Sequence, residues 1–179
     1  MSDSGTRAAQ IDLLRRLRAV REFTPDPVPA TAIDDIIDVA RWTGTASNRQ
    51  HWELVLVEDR EVLRRLGGME GYAGHLAGAP LGVVLVMAGQ IEEQETFDEG
   101  RLAERIMLAA EAHGLGSCIG WLRGAGQEET KALLGIPSER LVRTVLSVGF
   151  PDQAARRARP KNPDARKPTG AFIHRERYG

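Results

Sequence analysis

The fold of this chain is decided around residues 80–88, PLGVVLVMA, which belong to its longest apolar run. A strand here is apolar on both faces, because no polar residues alternate with the hydrophobic ones. Such a strand is typical of the centre of a sheet that is covered on both sides. The run is also far too short to cross a membrane.

Further strands and helices are predicted on both sides of this central strand. Strands are predicted at 52–59, WELVLVED, interpreted as buried, at 115–124, LGSCIGWLRG, which breaks into a loop, and at 143–151, RTVLSVGFP. Helices are predicted at 8–20, 31–42, 59–68, 96–113 and 127–135, with Thr31 and Asp59 as N-caps and Gly114 as a stop. Strands that alternate with helices indicate a layered domain of α and β elements.

Composition indicates one domain over residues 1–179, with a C-terminal basic arm over about 155–179. Apolar residues make up 42% and charged residues 27%, which allows a full core and a polar surface. A net charge of −1 gives no reason to expect nucleic acid or membrane as a partner. The single cysteine, Cys118, and the polar start, MSDSGTRAAQ, favour a cytoplasmic protein.

Two arginines stand three residues apart where the first helix is predicted to end, Arg18 and Arg21. At this spacing both guanidinium groups converge on one side of a helix. Two such groups suit a phosphate, because parallel N–H donors meet its oxygens. A solvated helix face explains the same pair.

The polar loop, residues 43–50, stands between a helix and a strand. Its Thr45, Ser47, Asn48 and Gln50 offer amide and hydroxyl groups that carry no charge. Such groups suit the polar rim of a flat heterocycle, although a capped helix end explains them too.

Later in the chain, Gly114 and Gly116 permit close backbone approach, but they follow a helix and so do not form a dinucleotide fingerprint. The four histidines have no metal-ligand spacing.

Taken in chain order, four stretches resemble the FMN-dependent nitroreductase family. Its pattern has Arg-Arg-Ser-x-Arg near the start, Ser-x-x-Asn-x-Gln-Pro-Trp before a strand, a Gly-Leu-Gly turn, and Arg-Lys-Pro near the end. Here they read LRAVR at 17–21, TASNRQHW at 45–52, GLG at 114–116 and RKP at 166–168. The resemblance implies an α+β fold, a three-layer sandwich with a central mixed sheet flanked by helices, whose C-terminal arm is exchanged in a homodimer.

The resemblance also implies which residues hold the cofactor FMN. Arg18, Arg21 and Arg166 are expected at its phosphate, and the polar loop is expected to meet the flavin from the other subunit. Backbone at 121–124 is expected near the reactive nitrogen of the ring. The full expected set is Arg18, Ala19, Arg21, Thr45, Asn48, Gln50, Trp121, Leu122, Arg123, Gly124, Arg166 and Lys167.

The implied activity is that of an FMN-dependent NAD(P)H oxidoreductase. NADH or NADPH reduces the flavin, and a nitroaromatic or quinone-like acceptor takes the electrons in the same place, with ping-pong kinetics. The flavin carries the chemistry, so neither a catalytic side chain nor a metal is expected. Residues 68–78 are small and leave an open pocket, with Tyr72 and His75 as substrate contacts.

Other interpretations stay open because the chain departs from the family pattern. Leu17 replaces the first Arg and Ala19 the Ser, which predicts weaker FMN binding unless Arg16 compensates. His51 replaces the Pro, and Arg105 stands where an Asn is common. A flavin-binding or storage protein without efficient turnover is one alternative, and a member specialised for reductive dehalogenation or flavin fragmentation is another. A dimer that binds no cofactor is the third.

Overall fold

The computed structural model describes residues 3–158 and 166–178. Its helices are α1 Asp3–Arg16, α2 Ala30–Arg41, α3 Arg60–Gly67, α4 Glu92–Ala112, α5 Ala125–Leu134 and α6 Gln153–Ala158. Its strands are β1 Trp52–Val57, β2 Leu81–Met87, β3 Gly116–Trp121 and β4 Leu141–Gly149. Short 3-10 helices span Ala46–Asn48, Gly74–Gly78 and Thr169–Ala171.

The four strands form one sheet in the order β1-β2-β4-β3. Every residue of β2 is buried, which confirms the prediction of a central strand over 80–88. The prediction that β1 is a buried strand is wrong, because β1 lies at an edge and only Val57 in it is fully buried. An apolar run does not reveal how many neighbours its strand has.

Helices cover both faces of this sheet, and β2 contributes to both cores by alternation. Leu81, Val83 and Leu85 pack on the side of α2 and α4. Val84 and Val86 pack on the side of α3 and the 3-10 helix Gly74–Gly78. The predicted α+β sandwich of three layers is thereby confirmed.

All four strands pair antiparallel. Among the described residues, the parallel part of the expected mixed sheet is a single bridge between Ala19 and Ser117. The exchange of the C-terminal arm in a homodimer stays a prediction.

The prediction of a helix over 8–20 is wrong at its end. Helix α1 stops at Arg16, and the chain then turns to pair with β3, where the Val20 N–H donates to the Ser117 carbonyl at 2.8 Å. Val20 is buried there, with 3% of its surface exposed. Arg18 and Arg21 are therefore not on a helix, so their spacing does not bring them together by helical geometry.

The other helices mostly follow the predictions. Asp59 caps α3, as predicted, by accepting from the N–H groups of Glu61 and Val62. Thr31 does not cap α2, since Pro29 occupies that position. Helix α4 begins at Glu92, before the predicted residue 96, and the 3-10 helix Gly74–Gly78 buries Leu76 completely.

The C-terminal basic arm is described only in part. Residues 166–178 are exposed throughout, while residues 159–165 of the predicted arm lie outside the described residues. No helix in the described ranges is long and apolar enough to span a membrane.

Candidate functional site

The basic segment, residues 17–21, lies along the outer edge of β3. Its backbone joins the sheet through the Ala19–Ser117 bridge. Close packing accompanies this pairing, since a Cβ added to Gly116 would lie 2.6 to 2.8 Å from side-chain atoms of Val20. A glycine at 116 thus lets the segment carrying Arg18 and Arg21 lie flat against the strand.

His75 lies on the opposite side of β3, in the 3-10 helix Gly74–Gly78. Its Nδ1 is 2.7 Å from the hydroxyl of Ser147 on β4. Its Nε2 is buried and makes no hydrogen bond of good geometry within the described residues. A Cβ on Gly120 would lie 3.1 Å from Nε2, so the glycine leaves room for the imidazole.

Electrostatics connect His75 with the basic segment. Burial first, and then the positive charge of Arg21, lower the pKa of His75 below its usual value, against an opposing effect of the Ile119 backbone. The imidazole is therefore neutral at pH 7. The edge of β3 consequently combines a permanent cation with a neutral hydrogen-bonding ring.

The loop after β3 is fastened to residues 69–73 by backbone bonds. The Tyr72 N–H donates to the Trp121 carbonyl at 2.6 Å, and the Arg123 N–H donates to the Glu70 carbonyl at 2.9 Å. The Leu122 N–H donates to the Arg143 carbonyl at 2.8 Å. The amides of Leu122 and Arg123 are thus used within the chain, and a backbone donor to a ligand must come from another position in this loop.

Trp121 projects from the end of β3 and is 40% exposed. The guanidinium of Arg143 lies 5.7 Å from the centre of its indole, which is within the range of a cation–π contact. Arg143 is itself buried and bonds Glu99 at 2.6 Å and Glu92 at 3.1 Å. The acidic residues near the start of α4 therefore hold Arg143 in contact with the indole of Trp121.

The polar loop forms bonds with itself and with α4. The Gln50 N–H donates to the Thr45 hydroxyl at 2.9 Å, and the Gln50 side chain lies 3.2 Å from the Asn48 side-chain oxygen. The Ala46 N–H donates to Asp98 on α4 at 3.0 Å. Asn48 and Gln50 are nevertheless exposed, so their amides are accessible to a ligand.

Asp98 is the main anchor of this loop. It is 2% exposed and lies 3.3 Å from His51 Nε2 and 3.4 Å from Arg101 Nη1. Three non-glycine residues of the loop have positive φ, namely Ser47 at 52°, Asn48 at 52° and Gln50 at 51°. Left-handed backbone of this kind is strained and often occurs where a protein presents groups to a ligand.

The two parts of the expected site lie far apart within one subunit. Ala46 bonds Asp98 near the start of α4, whereas Arg16, beside the basic segment, bonds Glu111 near its end. These two carboxylates are thirteen residues apart in the helix, which corresponds to about 20 Å at 1.5 Å per residue. The structure therefore brings the basic segment and β3 together, but not the polar loop with them.

The remaining expected residues take varied positions. Tyr72 is 69% exposed beside Trp121. Arg166 and Lys167 are exposed in the described part of the arm, and their role at a phosphate stays a prediction. No cluster of three metal-binding side chains occurs within residues 3–158 and 166–178.

Three residues that shape this site were not singled out from the sequence as site residues, namely Gly120, Ser147 and Glu70. Gly120 carries a usable signal, since a glycine inside a strand often marks close approach of another group. Ser147 and Glu70 carry none, because their roles depend on partners distant in sequence.

Comparisons with known proteins agree with this architecture. The nitroreductase family model matches residues 14–71 and 68–150. An NADH dehydrogenase of Thermus thermophilus is 26% identical over 173 residues, covering 75% of this chain and 82% of the relative. An NADPH-flavin oxidoreductase of Vibrio harveyi is 27% identical over 186 residues, covering 94% of this chain and 74% of the relative.

A solved structure of an FMN-dependent nitroreductase from Clostridium difficile R20291 shares the fold. It superposes with a TM-score of 0.81 at 23% identity and covers 94% of this chain and 99% of its own. The Thermus and Vibrio relatives are oxidoreductases, and this chain shares that general function. Because the family model matches most of its length, the chain belongs to the nitroreductase family.

Proposed function

We propose that this protein is an FMN-dependent NAD(P)H oxidoreductase that reduces nitroaromatic or quinone-like acceptors. The observation that carries the proposal is the basic segment fastened along the outer edge of β3, with neutral His75 across the strand. This arrangement offers cations for a phosphate and a hydrogen-bonding atom for a polar ring. The flavin and NADPH in the name of the Vibrio harveyi relative point the same way.

The residues at this edge fit FMN. His75 Nε2 is buried without a hydrogen-bond partner in the described chain, and an unpaired buried polar atom costs free energy unless a ligand satisfies it. Trp121, at the end of β3, offers a partly exposed aromatic surface. Arg18 and Arg21, together with Arg166 and Lys167 of the arm, would hold the phosphate.

When bound, FMN supplies the electron transfer between the nicotinamide and the acceptor. The side chains of the protein bind the cofactor and orient it. The guanidinium of Arg21 keeps its positive charge at every physiological pH, so it would oppose the negative charge of the phosphate whenever FMN is bound. Protons are supplied by solvent, since no side-chain acid is required.

A homodimer would complete the site. The polar loop and the basic segment are attached to α4 at points about 20 Å apart, so one subunit does not surround a single ring with both. The loop of a second copy, with its exposed amides, would cover the ring from the other side. The exposed C-terminal arm would embrace that second copy.

The test is a visible absorption spectrum of the purified protein, followed by heat release and identification of the chromophore. We expect a two-banded yellow spectrum with FMN released, and steady oxidation of NAD(P)H when a quinone is added. A colourless protein that ignores added FMN would contradict the proposal. Bound FMN without NAD(P)H oxidation would favour the storage alternative.

Arg21→Ala tests the basic segment directly. We expect lower FMN occupancy with an unchanged far-UV circular dichroism spectrum, because a surface cation is removed without a change in the core. Arg64→Ala is the matched control, since Arg64 pairs with Glu61 on the exposed side of α3. Equal occupancy in the two variants would remove Arg21 from the cofactor site.

A further inference from the structure

A cavity of about 230 Å³ lies beside the basic segment, between the end of α4 and α6. Its wall includes three arginines, Arg16, Arg18 and Arg156, and one carboxylate, Glu111, which gives the lining a formal charge of +2. A concave site with this charge suits a phosphate dianion, whose oxygens accept the parallel N–H donors of guanidinium groups.

The position of α6 is fixed by the residue that follows the basic segment. The Asp152 N–H donates to the Glu22 carbonyl at 3.0 Å, directly after Arg21. The carboxylate of Asp152 then accepts from the N–H groups of Ala154 and Ala155 at 2.9 and 3.0 Å and so starts the helix. These bonds bring Arg156 to the cavity.

Neighbouring arginines on α6 have different surroundings. Arg156 is half-buried and lines the cavity, whereas Arg157 is exposed and is not part of its wall. Successive residues of a helix point about 100° apart, which explains the difference. The pair provides a variant and a control with the same charge, in the same helix.

The other two arginines of the cavity are held by the chain. Arg18 Nη1 donates to the carbonyls of Arg15 and Leu17 at 2.6 and 2.7 Å. Arg16 Nε donates to Glu111 at 2.9 Å. A guanidinium has five N–H donors, so these bonds orient each group and leave other donors for an anion.

Positions 17 and 19 provide no donor of their own for a phosphate. Leu17 is partly buried and packs against the core between α2, α4 and the sheet. Ala19, in the bridge to Ser117, has no polar side chain either. The family pattern has an Arg and a Ser at these two positions, so donors for a phosphate must come from elsewhere in this chain.

We infer that Arg16 and Arg156, together with Arg18, bind the phosphate of FMN and supply the donors that Leu17 and Ala19 do not provide. The inference rests on the proposed function, because its ligand is the proposed cofactor. It assigns to α6 a role in binding that none of the four family-like stretches contains.

The experiment titrates apo-protein with FMN and follows the quenching of flavin fluorescence, for the natural chain, Arg156→Ala and Arg157→Ala. We expect Arg156→Ala to weaken FMN binding by about tenfold, as for the removal of one charge-assisted hydrogen bond. Arg157→Ala should bind FMN as the natural chain does. Arg16→Ala and Arg15→Ala form a second matched pair on α1 with the same expectation.

Riboflavin lacks the phosphate, so its affinity reports only on contacts made by the rest of the molecule. Arg156→Ala should leave its affinity unchanged, and inorganic phosphate should compete with FMN less effectively in this variant than in the natural chain. Thermal melting of each variant checks folding, and Arg156→Gln is the substitute if Arg156→Ala does not fold.

The outcomes separate the two claims. If the natural chain binds no FMN, the proposed function itself fails. If it binds FMN but the Arg156 and Arg157 variants behave alike, the inference is overturned and the proposed function remains. Equal weakening of FMN and riboflavin would also overturn it, because the effect would not act through the phosphate.

Discussion

The basic segment and the polar loop are both irregular and polar, yet they are held by different kinds of bond. The basic segment joins the sheet through its backbone, at Ala19 and Val20. The polar loop is attached to α4 through one carboxylate, Asp98, and contains three left-handed residues. One part of the proposed site therefore depends on backbone pairing, and the other on a single side chain.

This difference explains why the two regions should tolerate substitution differently. Backbone bonds persist whatever the side chain is, so the basic segment keeps its place with Leu17 and Ala19 where the family pattern has polar residues. The polar loop has no such support from the sheet. The conformation of the loop should therefore be lost when the carboxylate of Asp98 is removed.

The largest effect is expected for Asp98→Ala on α4, which removes the carboxylate that anchors the polar loop. The change leaves the partly buried Ala46 N–H without its acceptor and removes the carboxylate that lies 3.3 Å from His51 Nε2 and 3.4 Å from Arg101 Nη1. Leaving such polar groups without a partner costs about 3 kcal/mol in total. We expect the free energy of unfolding, measured in urea, to fall by that amount. Asp98→Asn should lose less, because its side-chain oxygen still accepts a hydrogen bond.

Asp38→Ala is the matched control for this prediction. Asp38 pairs with Arg41 on the exposed side of α2, and an exposed pair contributes only about 0.5 kcal/mol. If the Asp98 and Asp38 variants lose the same free energy of unfolding, the polar loop is not anchored by the carboxylate of Asp98.

Gly116→Ala tests the contrasting region, where packing against the sheet positions the basic segment. A Cβ here would lie 2.6 to 2.8 Å from Val20, so the segment must move, and overpacking of this kind costs about 2 kcal/mol. The free energy of unfolding should fall accordingly, and FMN should bind less tightly because Arg18 and Arg21 move with Val20.

Gly100→Ala is a control that should change the free energy of unfolding in the opposite direction. Gly100 lies in α4 and an added Cβ would meet no atom within 4 Å, so alanine should raise helix stability by about 0.5–1 kcal/mol. A loss of stability in both variants would show that the Gly116 effect is not caused by contact with Val20.

Local patterns predicted much of the fold. The central strand follows from its apolar run, and the Asp59 cap from a carboxylate that precedes a helix. The end of α1 was not predictable, since Leu17 and Arg18 are good helix formers and only the long-range pairing with Ser117 ends the helix there.

Only those parts of the site that belong to a local sequence motif were predictable. Glu99 lies in an acidic stretch that the sequence alone would place in solvent, yet it is buried because it pairs with Arg143, 44 residues further along the chain. Likewise, the pairing of His75 with Ser147 spans 72 residues. A single sequence gives no sign of such partners, because each residue alone is equally compatible with the surface.

The smallest effect is expected for Ser47→Gly in the polar loop. Ser47 has a φ of 52°, and the left-handed conformation costs an L-residue about 1–2 kcal/mol, part of which is offset by the greater entropy of glycine in the unfolded chain. We expect a net gain of about 0.5 kcal/mol in urea unfolding, with an unchanged slope against denaturant. Arg49→Gly, two residues on at a φ of −69°, relieves nothing and should lose stability. If both variants shift in the same direction, the left-handed residues store no strain, and the loop would be held by Asp98 alone.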